Sequence, residues 1–104
     1  MTRLETSEVN GQTFTGNVQL VHAVGMHARP AVKLTKLAKK FQAQVSVRVA
    51  GAADWINAKS VAKIMAMRAA HGSMIEIQAS GGDAQAAVTA LVNLIAADFP
   101  EGAA

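Results

Sequence analysis

The residues from 25 to 30, with the sequence GMHARP, bring together side chains suited to phosphoryl chemistry. Gly25 permits an unusual backbone conformation just before His27, and Arg29 carries a guanidinium that can donate in a fork to phosphate oxygens. If a helix begins just after His27, its unpaired N–H groups favour an anion and its positive end favours a neutral, nucleophilic imidazole. Pro30 stiffens the turn that orients the ring. These residues predict a phosphoryl acceptor, although a histidine that only caps a helix would fit the same spacing.

The other two histidines have simpler interpretations. His22 alternates with apolar strand positions and is expected to be packed, whereas His71 lies beside Gly72, where a helix end suits a positive side chain. No two histidines are four residues apart and the sequence contains no cysteine, so neither a metal site nor a disulfide is predicted. No cofactor is expected.

A change of hydrophobic period indicates the helix that must position His27. From Ala28 to Phe41 the apolar residues recur at helical spacing, and Pro30 is tolerated because it falls in the first turn. The apolar stripe consists of Leu34, Leu37, Ala38 and Phe41. The lysines on or beside the opposite face are Lys33, Lys36, Lys39 and Lys40.

The remaining sequence predicts strands by alternation and helices by a period of about 3.6 residues. The predicted order is β-α-β-β-α-β-α, with short turns between the middle strands that favour antiparallel pairing. The fold class is therefore α+β, with one four-stranded antiparallel sheet covered on one face by three helices. The other predicted elements are strands at 14–22, 45–49, 54–56 and 74–80 and helices at 60–68 and 83–98, with Gly72 expected to end the first of these helices.

The chain of 104 residues has the length of a single domain. Residues 1–12 are polar and are interpreted as a leader, 13–100 as the domain and 101–104 as a tail. No apolar run approaches the roughly 20 residues of a membrane helix, and the polar start lacks a secretory signal. A cytoplasmic, monomeric protein is therefore predicted.

The net charge of +3 is unevenly distributed. No acidic residue lies between Glu8 and Asp54, and the six basic residues of that stretch predict an acidic partner, a phosphate or nucleic-acid site, or only a solvated helix face. An RNA-binding module lacks support because the few aromatic residues are scattered and no GxxG clamp lies between two helices. An enzyme with a local general base lacks support because no carboxylate lies near His27 in the sequence.

Two motifs make the sequence resemble a known family. Residues 25–31, GMHARPA, are similar to the active-site signature of HPr, the histidine-containing phosphocarrier of the bacterial phosphoenolpyruvate:sugar phosphotransferase system. Residues 57–61, NAKSV, are similar to the segment that carries the regulatory serine of that family. Residues 81–84, GGDA, fit the start of its last helix, and the resemblance runs from about residue 14 to residue 99.

The resemblance implies a relay with no turnover of its own. Enzyme I would transfer a phosphoryl group from phosphoenolpyruvate to Nδ1 of His27, and His27 would pass it to a histidine of an enzyme IIA domain. The resemblance also implies an open-faced β-sandwich and roles for further residues. These are Arg29 for phosphoryl stabilisation, Ala28 and Pro30 in the first helical turn, Ser60 as a phosphoserine made by an HPr kinase, and Lys36, Lys39, Val61 and Met65 for partner docking.

Several features depart from the family pattern. The segment before Phe14 is longer, the turn at 51–56 is longer and carries Trp55, and Ala62 reduces an apolar contact patch. These differences leave open a specialised or mainly regulatory paralogue, or a domain of a fused phosphotransferase of the fructose or dihydroxyacetone type. Ser60 can also act only as the N-cap of its helix.

Overall fold

A computed structural model describes residues 13–23 and 25–100. Its elements follow the predicted β-α-β-β-α-β-α order. They are β1 (Thr13–Gln19), α1 (Ala28–Ala38), β2 (Gln44–Val49), β3 (Ile56–Asn57), α2 (Val61–Ala66), β4 (Met74–Ser80) and α3 (Ala84–Ala96). The predicted leader at 1–12 and tail at 101–104 lie outside the described residues.

The four strands form one antiparallel sheet in the order β1-β4-β2-β3. The long strand β4 pairs with β1, where Gln19 lies opposite Met74, and with β2, where Val49 lies opposite Ile75. This register brings the ends of β1 and β2 to the same end of the sheet as the start of β4. The segment that leads from β1 to His27 therefore begins at that end.

One face of the sheet and the inner sides of the helices form the hydrophobic core. In β4, Ile75, Ile77 and Ala79 are buried, whereas the alternate residues are half-buried or exposed. This alternation, with three helices on the buried face, confirms the predicted α+β open-faced sandwich. The buried residues of α3 recur at helical spacing and face the sheet: Ala84, Ala87, Val88, Leu91, Leu94 and Ile95.

The opposite face of the sheet is polar and carries an ion pair. Arg48 Nε donates to Glu76 Oε1 across 2.6 Å, and the Arg48 guanidinium lies 4.3 Å from the centroid of the Trp55 ring. A cation over an aromatic face is attracted by the ring quadrupole. Trp55 therefore packs on the open face of the sheet.

Asp83 joins the start of α3 to the turn before β2. It is the N-cap residue of α3, but its carboxylate accepts from the backbone N–H groups of Gln42 at 2.9 Å and Ala43 at 2.8 Å. These two hydrogen bonds lower the pKa of the Asp83 carboxyl, with a smaller contribution from the positive charge of Lys59. Gly81, with a φ of +135°, allows the start of α3 to lie close to Ala43, since a Cβ on residue 81 would lie 3.0 Å from the Ala43 Cα.

The boundary of β3 differs from the prediction. The sequence predicted a strand at 54–56, but β3 comprises only Ile56–Asn57. The turn that precedes it runs through Trp55, whose ring packs on Arg48. The cation–π contact thus places Trp55 beside β2 without extending β3.

The end of α2 also differs from the prediction. The helix ends at Ala66, and Arg68, with a φ of +55°, follows it in the left-handed region. Gly72 does not end the helix. Its N–H donates to the carbonyl oxygen of Leu20 at 2.7 Å, and this bond ties the turn before β4 to the residue that follows β1.

Candidate functional site

His27 is the N-cap residue of α1, as the sequence predicted. Its backbone is extended, with φ −142° and ψ 156°, and its exposed side chain makes no capping hydrogen bond. Pro30 and Ala31 are buried and anchor the first turn, which contains no acidic residue. Arg29, in the same turn, is exposed. The positive end of α1 therefore offers an anion a favourable position beside an exposed imidazole.

The backbone on either side of His27 adopts uncommon torsion angles. Gly25 has a φ of +76°, and a Cβ there would collide with the carbonyl oxygen of Ala69, so only glycine fits. Ala28 has a φ of +47°, which costs a residue with a Cβ about 1–2 kcal/mol. The Met26 N–H donates to the same Ala69 carbonyl at 2.9 Å. His27 is thus held by the residues that follow α2 as well as by α1.

An open depression with a volume of about 630 Å³ lies beside His27. Besides His27 it is lined by Met26, Ala62, Met65, Ala66, Arg68, Ala69 and Ala70, and we call it the His27 depression. Methyl and thioether groups form most of its wall. Among its described lining residues, Arg68 alone carries a formal charge. The site combines an imidazole, a cation and an apolar surface on which a partner protein can pack.

Arg68 is the residue of this site that the sequence analysis did not identify. The sequence placed Arg68 only at the last position of the helix predicted at 60–68. The structure places it just after α2, in the wall of the His27 depression. No local pattern could have indicated this position, because Arg68 and His27 lie on separate elements that the Met26–Ala69 hydrogen bond brings together.

The predicted docking lysines lie near the C-terminal end of α1. Lys36 is in the last turn and Lys39 is the C-cap residue, and both are exposed. Lys33 on the same helix is half-buried, and its Nζ donates to the carbonyl oxygen of Pro100 at 3.2 Å. Lys36 and Lys39 are thus available to a partner, whereas Lys33 holds the end of the domain against α1.

Ser60 is the N-cap residue of α2. Its Oγ accepts from the backbone N–H of Lys63 at 3.3 Å, so the capping role left open by the sequence is part of the structure. Ile64 is buried in the core, whereas Val61 and Met65 are half-buried. The two predicted docking residues of α2 therefore keep surface that a partner can reach.

The side chains of His22 and His71 do not line the His27 depression. The His22 ring meets the Phe99 ring edge-on, with centroids 5.9 Å apart and an interplanar angle of 78°, which agrees with its predicted packing. His71 is exposed in the turn before β4. Within residues 13–23 and 25–100, no three histidine, cysteine or acidic residues form a group that could hold a metal ion. In the same part of the chain, no helix has the length and apolar character needed to cross a membrane.

Comparison with known families agrees with this geometry. A family model described as the PTS HPr component phosphorylation site matches residues 14–97. The chain belongs to the HPr family. The HPr of Cupriavidus necator is 39% identical over 83 residues, which are 80% of this chain and 91% of that protein.

Two further similarities involve a longer protein and a solved structure. The multiphosphoryl transfer protein of Vibrio cholerae is 34% identical over 94 residues, which are 89% of this chain and 24% of that protein. The chain therefore spans about a quarter of the length of this relative. The crystal structure of HPr-C-His from Thermoanaerobacter tengcongensis has 32% sequence identity and a TM-score of 0.77, covering 83% of this chain and 94% of that one.

Proposed function

We propose that Nδ1 of His27 accepts a phosphoryl group from enzyme I, which obtains it from phosphoenolpyruvate, and donates it to a histidine of an enzyme IIA domain. The observation that carries this proposal is the exposed imidazole at the uncapped positive end of α1, in a chain of a phosphocarrier family. The protein acts as a carrier and has no turnover of its own.

The chemistry requires one bond to form as another breaks. The Nδ1 lone pair of His27 attacks phosphorus, and the bond between phosphorus and the donor histidine of enzyme I breaks with its electron pair returning to the donor ring. The first-turn N–H groups of α1 and the Arg29 guanidinium stabilise the phosphoryl oxygens. Transfer to enzyme IIA repeats the exchange with His27 as the donor. No side chain of the carrier has to be regenerated afterwards.

Docking of a partner protein uses the charges of α1 and the apolar side chains of α2. Lys36 and Lys39 attract an acidic partner surface and raise the rate of encounter. Val61 and Met65 supply apolar contact from α2, and Met65 lines the His27 depression. Phosphorylation of Ser60 by an HPr kinase would add roughly 1.5–2 negative charges to this surface and weaken the binding of an acidic partner.

A second candidate function follows from one relative. The multiphosphoryl transfer protein of Vibrio cholerae matches this chain over only 24% of its own length. Its name and greater length support the alternative that the chain acts as an HPr-like domain of a fused phosphotransferase. The fructose and dihydroxyacetone types are the ones that the sequence analysis left open. The transfer chemistry at His27 would be the same, but donor and acceptor could then be domains of one polypeptide.

A pulse–chase assay tests the relay. The protein is labelled with phosphoenolpyruvate, magnesium and enzyme I, separated from enzyme I, and mixed with purified enzyme IIA domains of different sugar classes. We expect the label to leave the carrier and reach the histidine of at least one enzyme IIA. A carrier that takes up no label would contradict the proposal. Transfer only to a fructose-type or dihydroxyacetone-type acceptor would favour the second candidate.

A further inference from the structure

We propose that Arg68 is a second anion-binding residue of the His27 site and contacts the phosphoryl group during transfer. The inference rests on the proposed phosphorylation of His27. It assigns to a residue outside α1 a share of the stabilisation otherwise given by Arg29 and the helix N-terminus. The site would then hold the phosphoryl group between two guanidinium groups supplied by different elements.

The position of Arg68 is the first reason. Arg68 and His27 line the same depression, so a phosphoryl group on the ring would share that space with the guanidinium. The rest of the described lining is alanine and methionine, with no carboxylate to neutralise the charge of Arg68. The Arg68 side chain is exposed, so an anion can reach it directly from solvent.

The lack of another role for the guanidinium is the second reason. Three other cations of the fold, all outside the His27 depression, have partners: Arg48 binds Glu76, Lys33 binds the Pro100 carbonyl and Lys59 binds the Phe41 carbonyl. Across residues 13–23 and 25–100, the Arg68 guanidinium has no hydrogen bond or ion pair. Its fork of donors is therefore available to phosphoryl oxygens.

The backbone of Arg68 is the third reason. Its φ of +55° lies in the left-handed region, at the position after a helix where glycine is common because it has no Cβ. A glycine would adopt this conformation without strain, yet the chain carries an arginine. An unfavourable residue at such a position beside a reactive histidine suggests that its side chain serves the site.

Phosphorylation by phosphoramidate tests this role without a protein partner. In the reaction Nδ1 of His27 attacks phosphorus, the phosphorus–nitrogen bond of phosphoramidate breaks, and ammonia leaves with the electron pair. The ring keeps its Nε2 proton. Because no docking surface is involved, the rate reports the local chemistry of the His27 site. The rate is followed by mass spectrometry of the intact protein.

Four variants define the expected result. Arg68→Gln should react about 1.5- to fivefold more slowly than wild type, the range expected for one exposed ionic contact. Arg68→Lys should be intermediate, because it keeps the charge and loses the fork. Arg68→Gly should react as slowly as Arg68→Gln while its thermal midpoint equals or exceeds that of wild type. Lys63→Gln, which removes a charge from α2 outside the His27 depression, should react like wild type.

The outcomes separate this inference from the proposed function. If wild type takes up no phosphoryl group at His27, the proposed function fails. If wild type is labelled and Arg68→Gln, Arg68→Gly and Lys63→Gln all match its rate, only the role of Arg68 is overturned. Should Arg68→Gln fold poorly, Arg68→Gly decides the question, because glycine suits the backbone at that position.

Discussion

The backbone N–H of Met26 donates to the carbonyl oxygen of Ala69 across 2.9 Å, so the residue before His27 is tied to the segment that follows α2. Gly25 packs against the same carbonyl. The position of His27 therefore depends on two segments that are distant in the sequence. This contact brings α2 and Arg68 to the His27 depression, and changes on either side of it should alter the reactivity of the ring.

A methyl group at Gly25 should disturb this contact. We expect Gly25→Ala to lower the free energy of unfolding by more than the roughly 1–2 kcal/mol of the left-handed backbone alone, because its Cβ also meets the Ala69 carbonyl. Gly51→Ala is the matched control, since Gly51 has a φ of +90° and nothing within 4 Å of an added Cβ. Urea unfolding compares the two variants. Equal losses would show that the Ala69 contact does not constrain the segment before His27.

Removing the charge of Asp83 should weaken the fold at neutral pH. The pKa of Asp83 lies below its ordinary value of 3.8 in the folded protein, because the carboxylate accepts two backbone hydrogen bonds. Its stabilisation is therefore present above the unfolded value and is lost as the pH falls through the lower, folded value. We expect Asp83→Asn to melt at a lower temperature at pH 7, and the difference from wild type to shrink as the pH falls below the unfolded pKa of 3.8 and through the lower, folded one.

Thermal melts across this pH range check the expectation. Asp54→Asn, which neutralises an exposed carboxylate in the turn before β3, is the control and should follow wild type. A difference in melting temperature between Asp83→Asn and wild type that stays constant at every pH would contradict the proposed link between the Asp83 charge and stability.

The strongly periodic elements could be predicted from the sequence. The buried stripe of α3, the alternation of β4 and the start of α1 at Ala28 all follow from local patterns, because each element buries one face over several turns or pleats. His27 and Arg29 could also be proposed as site residues from a local pattern, since glycine, histidine, arginine and proline stand together in one short segment.

The features that depend on contacts between distant residues could not be predicted. Gly72 was expected to end the helix at 60–68, but its N–H donates to the carbonyl oxygen of Leu20. The residue in the left-handed region after α2 is Arg68. Asp83 lies in the segment that the sequence assigns to the start of the last helix, yet its carboxylate binds the backbone of the turn before β2. In each case a long-range hydrogen bond decided between two roles that the local sequence allows equally.

Ser60 has both a cap and a proposed regulatory role, and two substitutions separate them. Ser60→Ala should lose about 0.5–2 kcal/mol of stability, because the Lys63 N–H loses its acceptor, and should remain a good phosphoryl acceptor. Ser60→Asp should keep the cap and be phosphorylated more slowly by enzyme I. Thermal midpoints and enzyme I kinetics measure the two effects. Ser46→Asp, on the open face of the sheet, is the control for added charge, and an equal slowing there would remove the regulatory role of Ser60.

Lys36 and Lys39 should govern encounter rather than chemistry. Replacing both by Gln should slow phosphorylation by enzyme I at low ionic strength and low carrier concentration, and added salt should reduce the difference from wild type. Gln85→Glu with Asn93→Asp changes the net charge by the same amount on α3 and should have a smaller effect. Initial rates at several carrier concentrations distinguish an effect on encounter from an effect on the transfer step. A loss that persists at saturating carrier would place the lysines in the transfer step, where it is expected of Arg29→Lys.

The central claim is that His27 alone accepts the phosphoryl group from enzyme I. The most direct test is to incubate wild type, His27→Ala, His22→Ala and His71→Ala with phosphoenolpyruvate, magnesium and enzyme I, and to measure the bound phosphoryl group before and after brief exposure to acid. The account predicts one acid-labile group on wild type, His22→Ala and His71→Ala, and none on His27→Ala. A label that survives acid, or that persists in His27→Ala, would contradict it.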